Sequence, residues 1–314
     1  KGLTFKTNFG LDIANKRDYN YTTSKITTST GYGKGGNGYT KKMSRLTENI
    51  LSYMNEWGDH RFTATGVYSW QNYMYETLSI SGNGFANDET GAWDMGQANR
   101  ETVEYGSDKY ENSLISWTGR VTYAYKDRYL LTATARYDGS SRFGENNKWG
   151  FFPSIGLAWR ASEEKFLAGN KVITNLKVRG SFGVTGNQEI GNYKSLAQLK
   201  VDNYIYNDTE IQGFYETIGN PDLKWERANQ FDIGIDLSLW NRIHVTADYY
   251  HRKTSDLLYN VPIPSTSGFS SMLSNVGSVL NKGWELSITG NIIDLNDLKI
   301  DATVNLSRNT NKIK

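Results

Sequence analysis

The sequence predicts an all-β protein, an antiparallel up-and-down transmembrane β-barrel, on three observations. Apolar and polar residues alternate with a period of two along most of the chain. Many predicted strands run 10–14 residues, whereas soluble strands most often have about 5–6 residues and tilted membrane strands need about 9–11. Short and long connections alternate, so one rim of the sheet carries tight turns and the other carries large loops, as in transmembrane barrels.

The alternation defines eleven strands, which we expect at 3–14, 43–56, 59–72, 110–126, 128–138, 149–161, 173–185, 226–239, 242–253, 280–291 and 297–308. The short connections lie at 57–59, 126–127, 240–241 and 293–296, with one of medium length at 162–172. The long connections lie at 15–42, 73–109, 139–148, 187–225 and 254–279. Tyr and Trp cluster at strand ends, which suits the aromatic girdles of a membrane barrel.

The two faces of the strands differ sharply in charge. Over 61–70, 129–138, 176–185, 230–239, 242–249 and 298–307, none of the 29 apolar-face positions is charged, whereas the 29 opposite positions carry 11 charges. At the 22% charge of the whole chain, about 6 of 29 would be expected on each face. One face therefore suits lipid and the other suits a water-filled lumen. The residues expected to face the lumen are Arg136, Asp138, Lys177, Arg179, Asp232 and Asp236.

The composition excludes several classes of function. A formal net charge of +2 provides no field to hold nucleic acid. With no cysteine and only three scattered histidines, we expect no disulfide, no metal site and no cofactor. A membrane-spanning helix needs an uninterrupted apolar run of about 18 residues. No stretch of this sequence approaches that length. No catalytic constellation stands out, so we expect a protein that is not an enzyme.

The long connections contain the candidate ligand contacts. Aromatic rings can stack on the flat face of a sugar while neighbouring amides and carboxylates bind its hydroxyl groups. The alternative is that the same rings pack the loops together or contact a partner protein. The candidate substrate-binding residues are Trp93, Tyr105, Asn187, Gln188, Tyr193, Tyr204, Tyr206 and Trp225.

Several segments between about 110 and 308 resemble the SusC/RagA-type TonB-dependent outer-membrane transporters of Bacteroidetes. They include RYDGSSRFG at 136–144, WGFFPSIGLAWR at 149–160, LKVRGSFGVTGNQ at 176–188, GNPDLKWE at 219–226 and NVGSVLNKGWE at 275–285. They occur in the family's order and cover roughly half of the chain.

The resemblance implies a barrel of about 22 strands with a plug inside it, located in the outer membrane. It also implies import driven by the TonB–ExbB–ExbD system, with a SusD-like surface lipoprotein over the barrel. Since no signal peptide, TonB box, plug or final aromatic strand is recognisable, residues 1–314 are expected to be one partial barrel domain of a longer protein.

Three functions remain open at this point. The first is TonB-coupled import of a large nutrient ligand, an oligosaccharide in preference to a peptide. The second is a passive, porin-like or structural outer-membrane barrel without a plug. The third is a soluble all-β carbohydrate-binding module or glycosidase, which the long strands and the absence of a converging carboxylate pair disfavour.

Overall fold

The computed structural model describes residues 2–26, 32–295 and 297–314, with the side chains of 200–204 and 214–217 outside the description. Its regular structure consists of strands and single-turn 3₁₀ segments. Among the described residues, no helix has the length and apolar character needed to cross a membrane.

Fifteen strands are described. They are β1 (Gly2–Thr22), β2 (Gly33–Trp57), β3 (His60–Phe85), β4 (Glu104–Tyr125), β5 (Tyr129–Ser140), β6 (Trp149–Arg160), β7 (Ile173–Asn187), β8 (Gln198–Tyr206), β9 (Thr209–Thr217), β10 (Glu226–Leu239), β11 (Ile243–Ser255), β12 (Leu258–Pro262), β13 (Ser271–Asn275), β14 (Ser278–Asp294) and β15 (Lys299–Ile313).

Eleven of the described strands form one sheet, in the order β1-β2-β3-β4-β5-β6-β7-β10-β11-β14-β15. Neighbours in this order follow one another along the chain, apart from two hairpins, β8–β9 and β12–β13, that form separate two-stranded sheets. The strand pairs are antiparallel, for example β10 with β7 and with β11. The predicted eleven-stranded, up-and-down antiparallel arrangement is confirmed.

The tight turns owe their shape to residues with positive φ. Lys126 and Asp127 have φ of 54° and 51°, and Trp240 and Asn241 have φ of 52° and 54°. Two consecutive residues with positive φ give the turn a twist that matches the twist of the two antiparallel strands it joins. We call the edge that carries these turns the turn rim and the opposite edge the loop rim.

The long connections contain more regular structure than the sequence predicted. β1, β2, β3 and β4 have 21, 25, 26 and 22 residues, so much of 15–42 and 73–109 is strand, not loop. The predicted loops 187–225 and 254–279 contain the hairpins β8–β9 and β12–β13. The prediction of open loops was wrong in these places because polar, two-sided strands lack the alternation that reveals a half-buried strand.

The sheet exposes apolar side chains and covers polar ones. In β10, Phe231, Ile233 and Ile235 are 45%, 45% and 44% exposed, whereas Asp232 and Asp236, which alternate with them on the opposite face, are half-buried. A soluble sheet has the reverse pattern, with its apolar side chains inward. Such an exposed apolar face suits contact with lipid, as the sequence predicted. We call this face the apolar face and the opposite one the polar face.

The chain falls into two compact units. One consists of Lys1–Lys6, Asn49–Tyr68 and Ile115–Lys314, and the other consists of Thr7–Glu48 and Ser69–Leu114. We call the first the large unit and the second the small unit.

Candidate functional site

Ion pairs line the polar face of the large unit. Arg136 Nε lies 2.7 Å from Asp138 Oδ2, two residues along β5 and therefore on the same face. The Arg136 guanidinium also donates a 2.9 Å hydrogen bond to Ser116 Oγ, which is buried on β4. A charge-assisted pair braced in this way positions both side chains more firmly than an exposed pair would.

A second ion-pair group crosses three strands. Arg179 on β7 pairs with Asp236 on β10 (3.3 Å) and reaches over that strand to Asp248 on β11 (2.7 Å). Gly234 lies opposite both Arg179 and Asp248 in the register, and its missing side chain leaves the space that the guanidinium occupies. A Cβ placed on Gly234 would lie 2.7 Å from Arg179 Cζ and would also meet the Asp248 carboxylate.

The remaining predicted lumen-facing residues lie nearby on the polar face. Asp232 accepts hydrogen bonds from Ser181 Oγ (3.3 Å) and Gln230 Nε2 (2.9 Å). Lys177 lies opposite Asp236 in the register and lines a cavity of about 300 Å³ together with Arg179 and Asp232. The six predicted residues therefore share one charged face, where Arg136 pairs with Asp138 along β5 and Arg179 pairs with Asp236 across strands.

A buried cluster supports the loop rim of the large unit. Trp225 is 5% exposed, and its ring lies 4.9 Å from that of Phe143 and 5.3 Å from that of Phe152. Its indole N–H donates a 3.0 Å hydrogen bond to the Lys148 carbonyl. Leu223 beside it is fully buried. Trp225 therefore has no free ring face, and it packs the loops together, as the alternative for loop aromatics anticipated.

The segments behind the family resemblance meet at this cluster. Asn275, from 275–285, exchanges hydrogen bonds with the backbone of Lys224, from 219–226 (2.9 and 2.8 Å). Asn147 Nδ2 donates to the Asp222 carbonyl at 3.1 Å, and the Gly144 amide bonds to the Leu223 carbonyl at 3.4 Å. Periodicity missed these residues because their partners are 51 to 79 positions apart. In the sequence, these contacts were signalled by the Asn and Gly residues of the family motifs.

The other predicted ligand contacts of the large unit are scattered along the loop rim. Tyr206 ends β8 and is well exposed, and Tyr193 is exposed in the connection before β8. Asn187 ends β7, and its side chain caps the Glu189 amide at 3.0 Å. The Gln188 carbonyl accepts a 3.2 Å hydrogen bond from Arg142. The side chain of Tyr204 lies outside the described residues.

The two predicted contacts of the small unit lie on the side of β1 that carries Phe9, Leu11 and Ile13. Tyr105 belongs to β4, not to a loop, and lines a groove with Tyr39, Leu78 and Ile80. Within the small unit, Tyr39 donates its hydroxyl to Asn15, which lies on the same side of β1 as Phe9, Leu11 and Ile13. Trp93 stacks on Tyr19 of that side, with ring centroids 4.7 Å apart. A ligand-contact role for Trp93 and Tyr105 stays a prediction.

Two carboxylates in the connections are held in their charged form. The backbone amide and hydroxyl of Ser24, followed by the Tyr21 hydroxyl, lower the pKa of Asp88 by hydrogen bonding. The Tyr129 hydroxyl (2.5 Å) and the Trp159 indole (3.3 Å) lower the pKa of Glu164 at the turn rim. Both groups bind neighbouring segments and form no acid–base pair. Within the described residues, no group of three potential metal ligands occurs.

The geometry can be compared with known proteins. The model of the family described as TonB dependent receptor-like, beta-barrel matches residues 2–313. The chain belongs to this family. It therefore contributes to the wall of an outer-membrane β-barrel.

Named relatives agree with this assignment. The chain is 37% identical to TonB-dependent receptor P3 of Formosa agariphila over 317 residues, covering 99% of this chain and 31% of the relative. It is 39% identical to TonB-dependent receptor SusC of Bacteroides thetaiotaomicron over 221 residues, covering 68% of this chain and 22% of SusC. The SusC/RagA-type resemblance is thus confirmed.

A solved structure extends the agreement to three dimensions. The chain is similar to the structure of the RagAB peptide transporter with a TM-score of 0.90 and 31% identity, covering 100% of this chain and 35% of that chain. The chain spans about a third of the length of these relatives. They are described as receptors and transporters rather than enzymes.

Proposed function

We propose that this chain forms part of the barrel wall of a TonB-coupled outer-membrane importer for a large nutrient ligand. The observation that carries the proposal is a sheet with an exposed apolar face and an ion-paired polar face in a chain of this family. Residues 1–314 then form one partial barrel domain, and the plug and the TonB-contacting segment belong to the rest of the longer protein.

An oligosaccharide is the ligand class that we favour. Exposed Tyr193 and Tyr206 offer flat ring faces at the loop rim, and Asn187 and Gln188 supply amides in the same connection. Carbohydrates need both kinds of group. A peptide is the second candidate, because the RagAB structure is described as a peptide transporter and matches the whole chain.

The proposal includes two kinds of partner. A SusD-like surface lipoprotein would cover the loop rim, where the cluster around Trp225 holds 144–148, 220–225 and 273–275 as a firm base. TonB–ExbB–ExbD would act through the plug region of the longer protein. Similarity to SusC and to RagAB supports both expectations.

Uptake by cells that express the full-length receptor tests the proposal. Size-matched pools of fluorescent oligosaccharides and fluorescent peptides are supplied to cells with and without TonB. Oligosaccharide uptake that requires TonB supports the proposal. TonB-dependent uptake of peptides alone would make a peptide, and not an oligosaccharide, the imported ligand. Uptake of either pool that persists without TonB supports the passive barrel instead.

A pair of variants makes the test residue-specific. Replacing both exposed tyrosines, Tyr193→Ala and Tyr206→Ala, should lower oligosaccharide uptake several-fold if they stack on sugar, since one such contact contributes about 1 kcal/mol. Trp240→Ala, at an exposed aromatic of the turn rim, is the matched control and should leave uptake unchanged.

A further inference from the structure

The apolar face of the large unit contains a pit centred on Gly180. One row of paired residues crosses four strands of the sheet at this point, from β5 to β10, and consists of Leu131, Leu157, Gly180 and Ile233. Because Gly180 has no side chain, the residues around it enclose a hollow of about 400 Å³. The side chains that form its wall include Tyr123, Tyr129, Leu157, Trp159, Val178 and Ile233. We call this hollow the Gly180 pit.

The packing of the sheet does not require glycine at position 180. A Cβ placed there would have the Asp232 carbonyl oxygen as its nearest atom, at 3.7 Å, which is an ordinary van der Waals distance. Its φ also lies outside the left-handed region that favours glycine. Gly234 differs, since a Cβ there would lie 2.7 Å from Arg179 Cζ. The missing side chain at position 180 therefore has its main consequence on the surface, where it leaves the pit open.

The polar atoms of the rings around the pit already have partners. The Tyr123 hydroxyl lies 2.6 Å from His60 Nδ1. The Tyr129 hydroxyl and the Trp159 indole N–H both donate to the Glu164 carboxylate, at 2.5 and 3.3 Å. The rest of the wall is aliphatic. A hydroxyl or a charged group inside the pit would therefore lose its hydrogen bonds to water without replacement, so the wall suits a hydrocarbon occupant.

Two exposed aromatic residues place the pit near the turn rim. Tyr129 is the first residue of β5, and its partner Trp159 is the last but one of β6. Exposed Tyr and Trp at strand ends mark the boundary between hydrocarbon and headgroups. The row that contains Gly180 is the next row on this face, further from the turns. It therefore lies in the hydrocarbon of the leaflet at the turn rim, which is the periplasmic leaflet in barrels of this kind.

Packing decides what occupies a pit in this position. Both the apolar face and its surroundings in a membrane are hydrocarbon, so association depends on van der Waals contact and not on the exclusion of water. An unfilled hollow would deprive the side chains of its wall of dispersion contacts on one side. A flexible chain that bends into the hollow restores those contacts.

We propose that the Gly180 pit binds one acyl chain of a phospholipid from the periplasmic leaflet. The chain passes Tyr129 and Trp159 and packs between Leu157 and Ile233, over the backbone of Gly180, while the headgroup stays at the turn rim. The site depends on the membership of the chain in an outer-membrane barrel family. It does not depend on which ligand is imported.

Native mass spectrometry of the delipidated full-length receptor in maltoside detergent, titrated with palmitoyl-oleoyl phosphatidylethanolamine, tests the proposal. Wild type should bind its first phospholipid several-fold more tightly than later ones. Gly180→Leu fills the pit and should abolish this difference, and Gly180→Ala should reduce it. Gly290→Leu is the matched control and should bind like wild type. Gly290 lies on the same face, opposite Ile243, and a Cβ there would meet no atom within 4 Å.

Four results would overturn the proposal. One is an equally tight first step in wild type and Gly180→Leu, each first shown to be folded by its heat-modifiable gel migration. If leucine prevents folding, an unchanged first step in Gly180→Ala has the same meaning. The second is an equal loss in Gly180→Leu and Gly290→Leu, which would indicate unspecific lipid contact.

The third contrary result is tighter binding of lipid A than of the phospholipid, which would place the pit in the opposite leaflet. The fourth is dissociation of a receptor dimer by Gly180→Leu with unchanged phospholipid binding, which would make the pit a protein contact. The uptake assay is a separate readout, so failure here would leave the transport proposal standing.

Discussion

Gly234→Ala should destabilise the barrel although alanine is the better residue for a strand. In a strand interior, replacing glycine with alanine gains about 0.5–1 kcal/mol through the entropy of the unfolded chain. Here the new Cβ would lie 2.7 Å from Arg179 Cζ and would meet Asp248, so it would displace the guanidinium from that carboxylate.

The expected cost follows from the exposure of the ion pair. The Arg179 and Asp248 side chains are 34% and 27% exposed, so their pairing is stronger than the 0–1 kcal/mol of surface pairs and weaker than a fully buried pair. With about 2 kcal/mol for the lost contact, the net destabilisation is about 1 kcal/mol. Gly156→Ala, where the nearest atom to a new Cβ is Ser181 Cβ at 3.8 Å, is the matched control. It should be neutral or stabilising by about 0.5 kcal/mol.

Urea unfolding of the full-length receptor in lipid vesicles, followed by tryptophan fluorescence, measures both variants. Removing the guanidinium should reduce the effect, so Gly234→Ala in an Arg179→Ala background should cost less than in wild type. Equal stability changes for Gly234→Ala and Gly156→Ala would refute the assignment of Gly234 as the space for this ion pair.

The remaining predictions use the same receptor. Ile233→Arg should lower the free energy of unfolding in urea by about 2–4 kcal/mol, because it places a charge in lipid. Gln230→Arg on the polar face should lower it by less than about 1 kcal/mol. Equal losses would contradict the assignment of Ile233 to the lipid side and Gln230 to the water side. Trp225→Ala should cost about 3–5 kcal/mol by emptying the buried cluster, and its loops should become protease-sensitive; unchanged proteolysis would contradict that role. The pKa of Glu164 is lowered by hydrogen bonds to its carboxylate, so the stabilisation is present above its unfolded pKa of about 4.3 and is lost as the pH falls through the lower folded value. Glu164→Gln should therefore flatten the acid limb of the stability profile, and an unchanged limb would count against these bonds.

The strands inside the membrane could be predicted closely because lipid on one side and water on the other impose a period of two. The prediction of 226–239 matches β10 at Glu226–Leu239, and 149–161 matches β6 at Trp149–Arg160. The family resemblance was equally accessible, since its motifs are contiguous.

The extensions of β1 to β4 could not be predicted, because residues such as those at 33–42 are polar on both faces of the strand. The loop-rim cluster depends on contacts like that of Trp225 with the Lys148 carbonyl, 77 positions away. From the sequence, Trp225 is an aromatic residue in a polar loop and therefore a candidate ligand contact. The fold shows that its ring is buried against Phe143 and Phe152.

Spin-label accessibility along β10 tests the central claim, that the apolar face meets lipid and the polar face meets water. The 314 residues contain no cysteine, so single cysteines placed from 229 to 238 would be the only labelling sites in this part of the receptor. In vesicles, labels at 231, 233 and 235 should be accessible to oxygen, and labels at 230, 232 and 236 to a water-soluble nickel complex, with a strict period of two. Position 234 stays glycine because a side chain there would displace Arg179. Absence of that alternation, or its reversal, would contradict the placement of this sheet in an outer-membrane barrel wall.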